Sequence, residues 1–163
     1  MRIEPVALRP IGIIHSQHQN AEQVPIQPAY AENCPARIEV FPEFAAGLSD
    51  LEGFSHIYLI YQFHQAGKPQ LRVKPFLQDV ERGVFATRSP NRPNPIGLSI
   101  VELVRRAGNI LHIKGADILD GIPLLDIKPY IKRFDRIDSS CDGWQEEVDE
   151  TTARLKGKRQ NKL

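Results

Sequence analysis

The apolar positions of this 163-residue chain fall in short runs rather than long helical stripes. The runs are rich in β-branched and aromatic residues and are bounded by Gly, Pro, Asn or Asp, which is how strands read. The pattern predicts strands at about Arg9–His15, Ala36–Phe41, His56–Phe63, Leu71–Phe76, Gly83–Ala86, Gly97–Arg106, Ile110–Gly115 and Pro123–Lys128. Ala107-Gly108-Asn109 and Asp120-Gly121 read as hairpin turns, the latter because it tolerates positive φ. Helical stretches of about 10–15 residues do not intervene, so the second half reads as a meander. The fold class is therefore all-β, a small antiparallel β-barrel with long loops, or else a sandwich. Phe44–Leu51 is expected as one short helix.

The 13 prolines are spread through the middle of the chain. A proline in a helix interior costs about 3 kcal/mol, so long helices are not expected before residue 144. Beyond Gln145 the character changes: Glu146, Glu147, Asp149 and Glu150 precede Arg154, Lys156, Lys158, Arg159 and Lys162. Acid first and base last suits a helix dipole, giving a C-terminal helix over Gln145–Lys156 with a basic tail. Only Val148 and Leu155 offer an apolar stripe, so a solvated tail is the other reading. The expected division is a barrel domain over 1–144 and a charged helix or tail over 145–163.

Lys and Arg total 21 against 20 Asp and Glu, a formal charge of +1, so attraction to nucleic acid has to come from a local patch. With 41% hydrophobic and 25% charged residues, collagen-like, disordered and heptad-dominated chains are excluded. Arg2, Glu4 and Arg9 interrupt the apolar residues of the N-terminus, and no run is long enough to span a membrane, so a cytoplasmic protein without membrane partner is expected. Cys34 and Cys141 lack metal-type spacing, so neither a disulfide framework nor a metal site is expected. No GxG, GxxxxGK, GxSxG or HExxH occurs, which disfavours a Rossmann-type cofactor site, a P-loop, a hydrolase elbow and a zinc protease helix.

One segment stands out. Gly83-Val-Phe-Ala-Thr-Arg-Ser-Pro-Asn-Arg-Pro-Asn-Pro-Ile-Gly-Leu-Ser99 carries Arg88, Ser89, Asn91, Arg92 and Asn94 among Pro90, Pro93 and Pro95. The prolines stiffen it and reduce the entropy lost on ordering around a ligand, while guanidiniums and amides can engage phosphate, ribose or base edges. A rigid crossover with solvated arginines is the plainer alternative. From Lys68 to Arg92, the basic Lys68, Arg72, Lys74, Arg82, Arg88 and Arg92 face only Asp79 and Glu81, a composition suited to phosphates or to a solvated face. His64 shares strand parity with His56, Tyr58, Ile60 and Gln62, either a ligand wall or the wet side. Asp117 and Asp120 flank a turn, where acids stabilise the turn itself or meet a cationic or hydroxylated ligand.

The block Gly83–Ser99 resembles closely the central motif of the TrmO family of tRNA methyltransferases, also called TsaA-like or YaeB-like. The match continues in order through Gly53-Phe-Ser-His56, Phe63-His64-Gln65, Asp117-Ile-Leu-Asp-Gly121 and Leu125-Asp-Ile-Lys-Pro-Tyr130, spanning roughly residues 8–131. The resemblance implies a small β-barrel, commonly homodimeric, that binds S-adenosylmethionine without a Rossmann domain and methylates N6 of threonylcarbamoyladenosine at tRNA position 37. It implies donor contacts from Gln27, Pro28, Ala29, His64, Gln65, Arg88, Leu98, Asp117, Ile118, Leu119 and Asp120. Arg88 would pair with the donor's carboxylate and the acids with its cationic groups or ribose. Asn94 is the candidate for orienting the base in an in-line transfer driven chiefly by positioning, and Arg72, Lys74 and Arg92 are the candidates for tRNA phosphates. The chain resembles a short form, without the additional C-terminal domain of longer bacterial members. A donor-binding sensor that transfers nothing, or a methyltransferase with another substrate, are the alternatives.

Overall fold

The computed structural model describes residues 4–31 and 34–157. Six strands close into an antiparallel barrel in the order β1 (Gly12–Ser16), β2 (Pro35–Val40), β7 (Ile110–Lys114), β6 (Ile96–Ala107), β3 (His56–Gln62), β8 (Ile122–Pro129). Strands β4 (Arg72–Val73) and β5 (Arg82–Gly83) form a separate two-stranded ribbon. Alternation builds the core: Ile14, Ile38, Ile57, Leu59, Val101, Leu103, Leu111, Ile113 and Leu124 point inward and are buried. Leu48 and Leu51 join this cluster from the β2–β3 connection, and Ala116 and Ile118 join it from the β7–β8 connection.

The expected all-β barrel is present, with local differences. β6 and β7 form the expected hairpin, with Gly108 at φ 64°. Asp120-Gly121 is a turn with Gly121 at φ 75°, but not a hairpin: β8 leaves β7 and inserts between β1 and β3. The meander is broken there because closure needs a strand to satisfy both free edges. The expected strand over Leu71–Phe76 shrinks to Arg72–Val73, bounded by Pro69 and Pro75, and Val84–Ala86 coils into a 3-10 turn instead of extending β5. The helix expected at Phe44–Leu51 is two 3-10 segments, Pro42–Leu48 and Leu51–Gly53.

The C-terminal helix is likewise divided. A 3-10 segment covers Gly143–Glu147, and an α-helix begins at Glu150 and runs to Gly157, with the Asp149 carboxylate accepting from the Thr152 N–H at 2.8 Å as a cap. This helix is α2; α1 is Lys132–Asp135. The expected basic tail beyond residue 157 lies outside the described residues. Among the described residues no helix is long and apolar enough to cross a membrane.

Topology decides where the long loops go. The connections β1–β2, β3–β6 and β7–β8 all emerge at one end of the barrel, whereas the β6–β7 hairpin and the β2–β3 connection cap the other. β6 outruns β7: pairing between them begins at Glu102 and Lys114, so Ile96–Val101 pair only with β3. Gly97 lies in this overhang because the Tyr61 ring occupies the space a Cβ would need. Gly97→Ala is expected to lower stability by about 1–3 kcal/mol, the cost of forcing an overpacked site to shift. Gly47→Ala, with open space around its Cα, is expected to leave the melting temperature nearly unchanged or raise it. Thermal melts of both variants check the contrast.

Candidate functional site

The three converging connections carry nearly all the residues singled out in the sequence: Gln27–Ala29 in the first, His64 to Asn94 in the second, Asp117–Asp120 in the third, with Leu98 at the start of β6. Arg88 donates a hydrogen bond from Nη1 to Gln27 Oε1, joining the first two connections. The Pro28–Tyr30 turn packs along β6. Pro28 and Ala29 line an open groove of about 370 Å³ with His56, Ile100, Glu102 and Lys114.

Asp117 lies where β6 overhangs β7. The buried Ser99 hydroxyl donates to Asp117 Oδ1 at 2.6 Å and sits 3.0 Å from the buried Tyr61 hydroxyl. An ionised carboxylate only accepts, so the single Ser99 proton goes to Asp117 and Tyr61 donates to Ser99. Burial pushes the Asp117 carboxyl up to about 6, against the Ser99 hydrogen bond and the Arg88 charge. The Tyr61 hydroxyl is pushed up by burial and by the Asp117 charge. Cys34 is raised too, by burial first and by Asp117 last. A carboxylate held in a dry position with a guanidinium nearby is the kind of group found in binding sites.

Other residues of the set are placed differently. Burial opposes the charge of Asp120, yet the Ser16 N–H at 3.0 Å, the Gln19 side chain and His15 hold its carboxyl below the ordinary range. Ile118 belongs to the core, 1% exposed, and its carbonyl accepts from Ser16 Oγ at 2.6 Å; Leu119 packs against that core. His64 and Gln65 are exposed and lie 3.3 Å apart, Nε2 to Nε2. β3 ends at Gln62, so His64 sits in the turn beyond it and the expected strand parity does not extend to it, while Leu98 is 58% exposed on the outer face of the sheet opposite Ile60. Asn94 is exposed; Arg92 donates to the Thr87 carbonyl at 3.3 Å. Arg72 and Lys74 are ion-paired with Glu81 and Asp79.

Sequence reasoning missed Ser99, Tyr61 and His18. A hydroxyl at an inward position of an alternating strand was the available signal for Ser99. His18 is buried, and burial lowers its imidazole pKa against a hydrogen bond to the Ala116 backbone; its Nε2 has no partner among the described residues. Trp144 is an anchor, donating from Nε1 to the Ala86 carbonyl at 2.8 Å with the Arg82 guanidinium 5.8 Å from its ring. Gly157 supports Tyr30, whose ring fills its Cβ space, so the C-terminal segment braces both the 26–30 and 82–86 loops. Among the described residues no group of three or more His, Cys, Asp or Glu is placed to hold a metal ion.

Residues 13–136 match the family model described as the tRNA-methyltransferase O N-terminal domain. The chain belongs to that family. It is 55% identical over 141 residues to a probable S-adenosyl-L-methionine-binding protein of Pyrococcus abyssi, covering 86% of this chain and 77% of that one. A tRNA (adenine(37)-N6)-methyltransferase of Mus musculus is 38% identical over 133 residues, 77% of this chain and 31% of its own. The crystal structure of TrmO from Pseudomonas aeruginosa superposes with a TM-score of 0.72 at 36% identity, covering 86% of this chain and 62% of that chain. The chain thus spans under two thirds of the solved family member and under a third of the mammalian one.

The desolvated carboxylate makes stability depend on pH. Because the folded state holds the Asp117 proton more tightly than an exposed aspartate does, its stabilising contribution is present at low pH and lost as pH rises through about 6. Asp117→Asn keeps the acceptor for Ser99 and removes the buried charge. The variant's melting temperature is expected to exceed that of the natural protein at pH 8 by more than at pH 5, measured by thermal melts at both.

Proposed function

We propose that the protein is an S-adenosylmethionine-dependent methyltransferase acting on N6 of threonylcarbamoyladenosine at position 37 of tRNA. The observation that carries this reading is a desolvated carboxylate, Asp117, within the electrostatic reach of the Arg88 guanidinium that Gln27 holds, at the barrel end where three connections converge, in a chain of this family. These residues fit the donor's chemistry. A planar guanidinium suits its carboxylate, Asp117 suits one of its cationic groups, and the groove beside Pro28, Ala29 and Ile100 offers apolar wall to an adenine.

S-adenosylmethionine supplies, when bound, a methyl group activated on a sulfonium. Gln27 holds Arg88 in place through its side-chain oxygen. The Ser99 hydroxyl holds Asp117, and Asn94, exposed in the proline-braced loop, is the residue offered to the base. His64, Gln65, Leu98, Ile118, Leu119 and Asp120 complete the proposed donor set, Ile118 and Leu119 through their backbone. Catalysis rests on holding two partners in register rather than on a strong base. Arg72, Lys74 and Arg92 belong to the tRNA-facing side of the β3–β6 connection.

We also propose a homodimer, cytoplasmic in location, formed through the outer face of β3 and β6. Ile96, Leu98 and Ile100 are 38%, 58% and 39% exposed there, beside an open groove that a second copy would cover. The rim carries both signs, Glu102 and Lys114 on one side and Asp126 and Lys128 on the other, as a two-fold contact requires. Ile96→Glu is expected to halve the mass measured by light scattering.

Labelled donor incubated with tRNA bearing threonylcarbamoyladenosine is expected to place label on N6 of that nucleoside, read by mass spectrometry. Donor binding without transfer would instead support the sensor reading, in line with the name of the Pyrococcus abyssi relative. Arg88→Ala is expected to weaken donor affinity at least tenfold, about 1.4 kcal/mol, by calorimetry. Unchanged affinity removes Arg88 from the site.

A further inference from the structure

Some cations of the chain hold a carboxylate and others do not. In the β3–β6 connection Arg72, Lys74 and Arg82 each hold a carboxylate, Glu81, Asp79 and Glu147, at 3.3, 2.9 and 3.0 Å. On the barrel wall Arg37 and Arg105 are exposed, and neither has an ion-pair or hydrogen-bond partner among the described residues. Sheet register brings these two together. Arg37 of β2 stands opposite His112 of β7, and His112 stands opposite Arg105 of β6 at the β6 bulge.

Arg37 and His112 alternate with the buried Ile38, Leu111 and Ile113, so they face outward. Arg37 and His112 also line one open groove with His15 of β1. His15 lies 3.7 Å from both Glu39 and Asp120, which makes it the junction between this wall and the β7–β8 connection of the candidate site.

A polyanion gains most from cations that have no carboxylate of their own, since these replace condensed counterions without an ion pair being broken. Neighbouring strands lie about 4.8 Å apart, so three in-register side chains cover roughly 10 Å of wall, a row rather than a point. Glu39 and Glu102 flank it and confine the positive potential to a stripe. Such a row has no base-reading geometry, and contacts of this kind fix the position of a nucleic acid without specifying its sequence.

We propose that Arg37, His112 and Arg105 form an RNA-backbone-binding stripe on the barrel wall, additional to the loop cations, that holds tRNA phosphates while the loops at the barrel end meet the modified base. The stripe rests on the tRNA reading given above and assigns a surface to it.

The test is a salt series of tRNA binding by fluorescence anisotropy, with donor affinity by calorimetry and melting temperature as controls. Arg37→Ala with Arg105→Ala is expected to reduce the slope of log K against log salt by ~0.7–0.9 per lost phosphate contact, while donor affinity and melting temperature stay unchanged. Arg37→Lys with Arg105→Lys restores the slope. Arg72→Ala with Lys74→Ala reduces it less, because those charges are already paired. A slope unchanged in the wall variant, or reduced only in the loop variant, overturns the stripe while leaving the tRNA reading intact. A natural protein that binds tRNA without salt dependence, or not at all, overturns the tRNA reading itself and the stripe with it.

Discussion

Insertion of β8 between β1 and β3 is the constraint on which the rest of the structure depends. Without it the sheet β1-β2-β7-β6-β3 would leave two rows of unpaired backbone N–H and C=O groups at its edges. Closure satisfies both with one strand and encloses Ile14, Ile57, Leu59, Leu111 and Leu124 in a dry interior. It also orients every strand so that the three long connections share one end. Residues from Gln27 to Asp120 that are remote in the chain thus become neighbours through the direction of the strands alone.

Within that frame the molecule tolerates a local cost. Asp117 would be more stably ionised in water, yet it is held at the edge of the core by Ser99 and Tyr61, and Gly97 makes room for the Tyr61 ring. The desolvated carboxylate costs folding stability at neutral pH; its electrostatic strength toward a cation is the compensation. The strand that supports it has two faces. β6 turns Ser99, Val101 and Leu103 inward and presents Leu98 and Ile100 outward, so one strand serves the site, the core and the proposed subunit contact.

Charge is partitioned as well. Near-neutral composition hides an arrangement in which Arg72 and Lys74 of the loops are matched by nearby acids, while Arg37 and Arg105 on the barrel wall have no ion-pair partner among the described residues. Side-chain pairing within loops depends on local hydrogen-bonded geometry, as in Lys74 with Asp79, and that geometry cannot be read from counts of basic and acidic residues.

Much was legible before any coordinates. The period-2 alternation of β3, β6 and β7 is a local consequence of the extended backbone, and the Gly108 turn follows from the dihedral freedom of glycine. The proline-rich segment and its arginines were evident as a unit for the same reason. What only the tertiary structure decided is which strands β8 joins, which cations are ion-paired, and that Ser99 and Tyr61 hold Asp117. Each of these depends on pairing between distant segments, and hydrogen-bond edges and burial exist only once the sheet has closed.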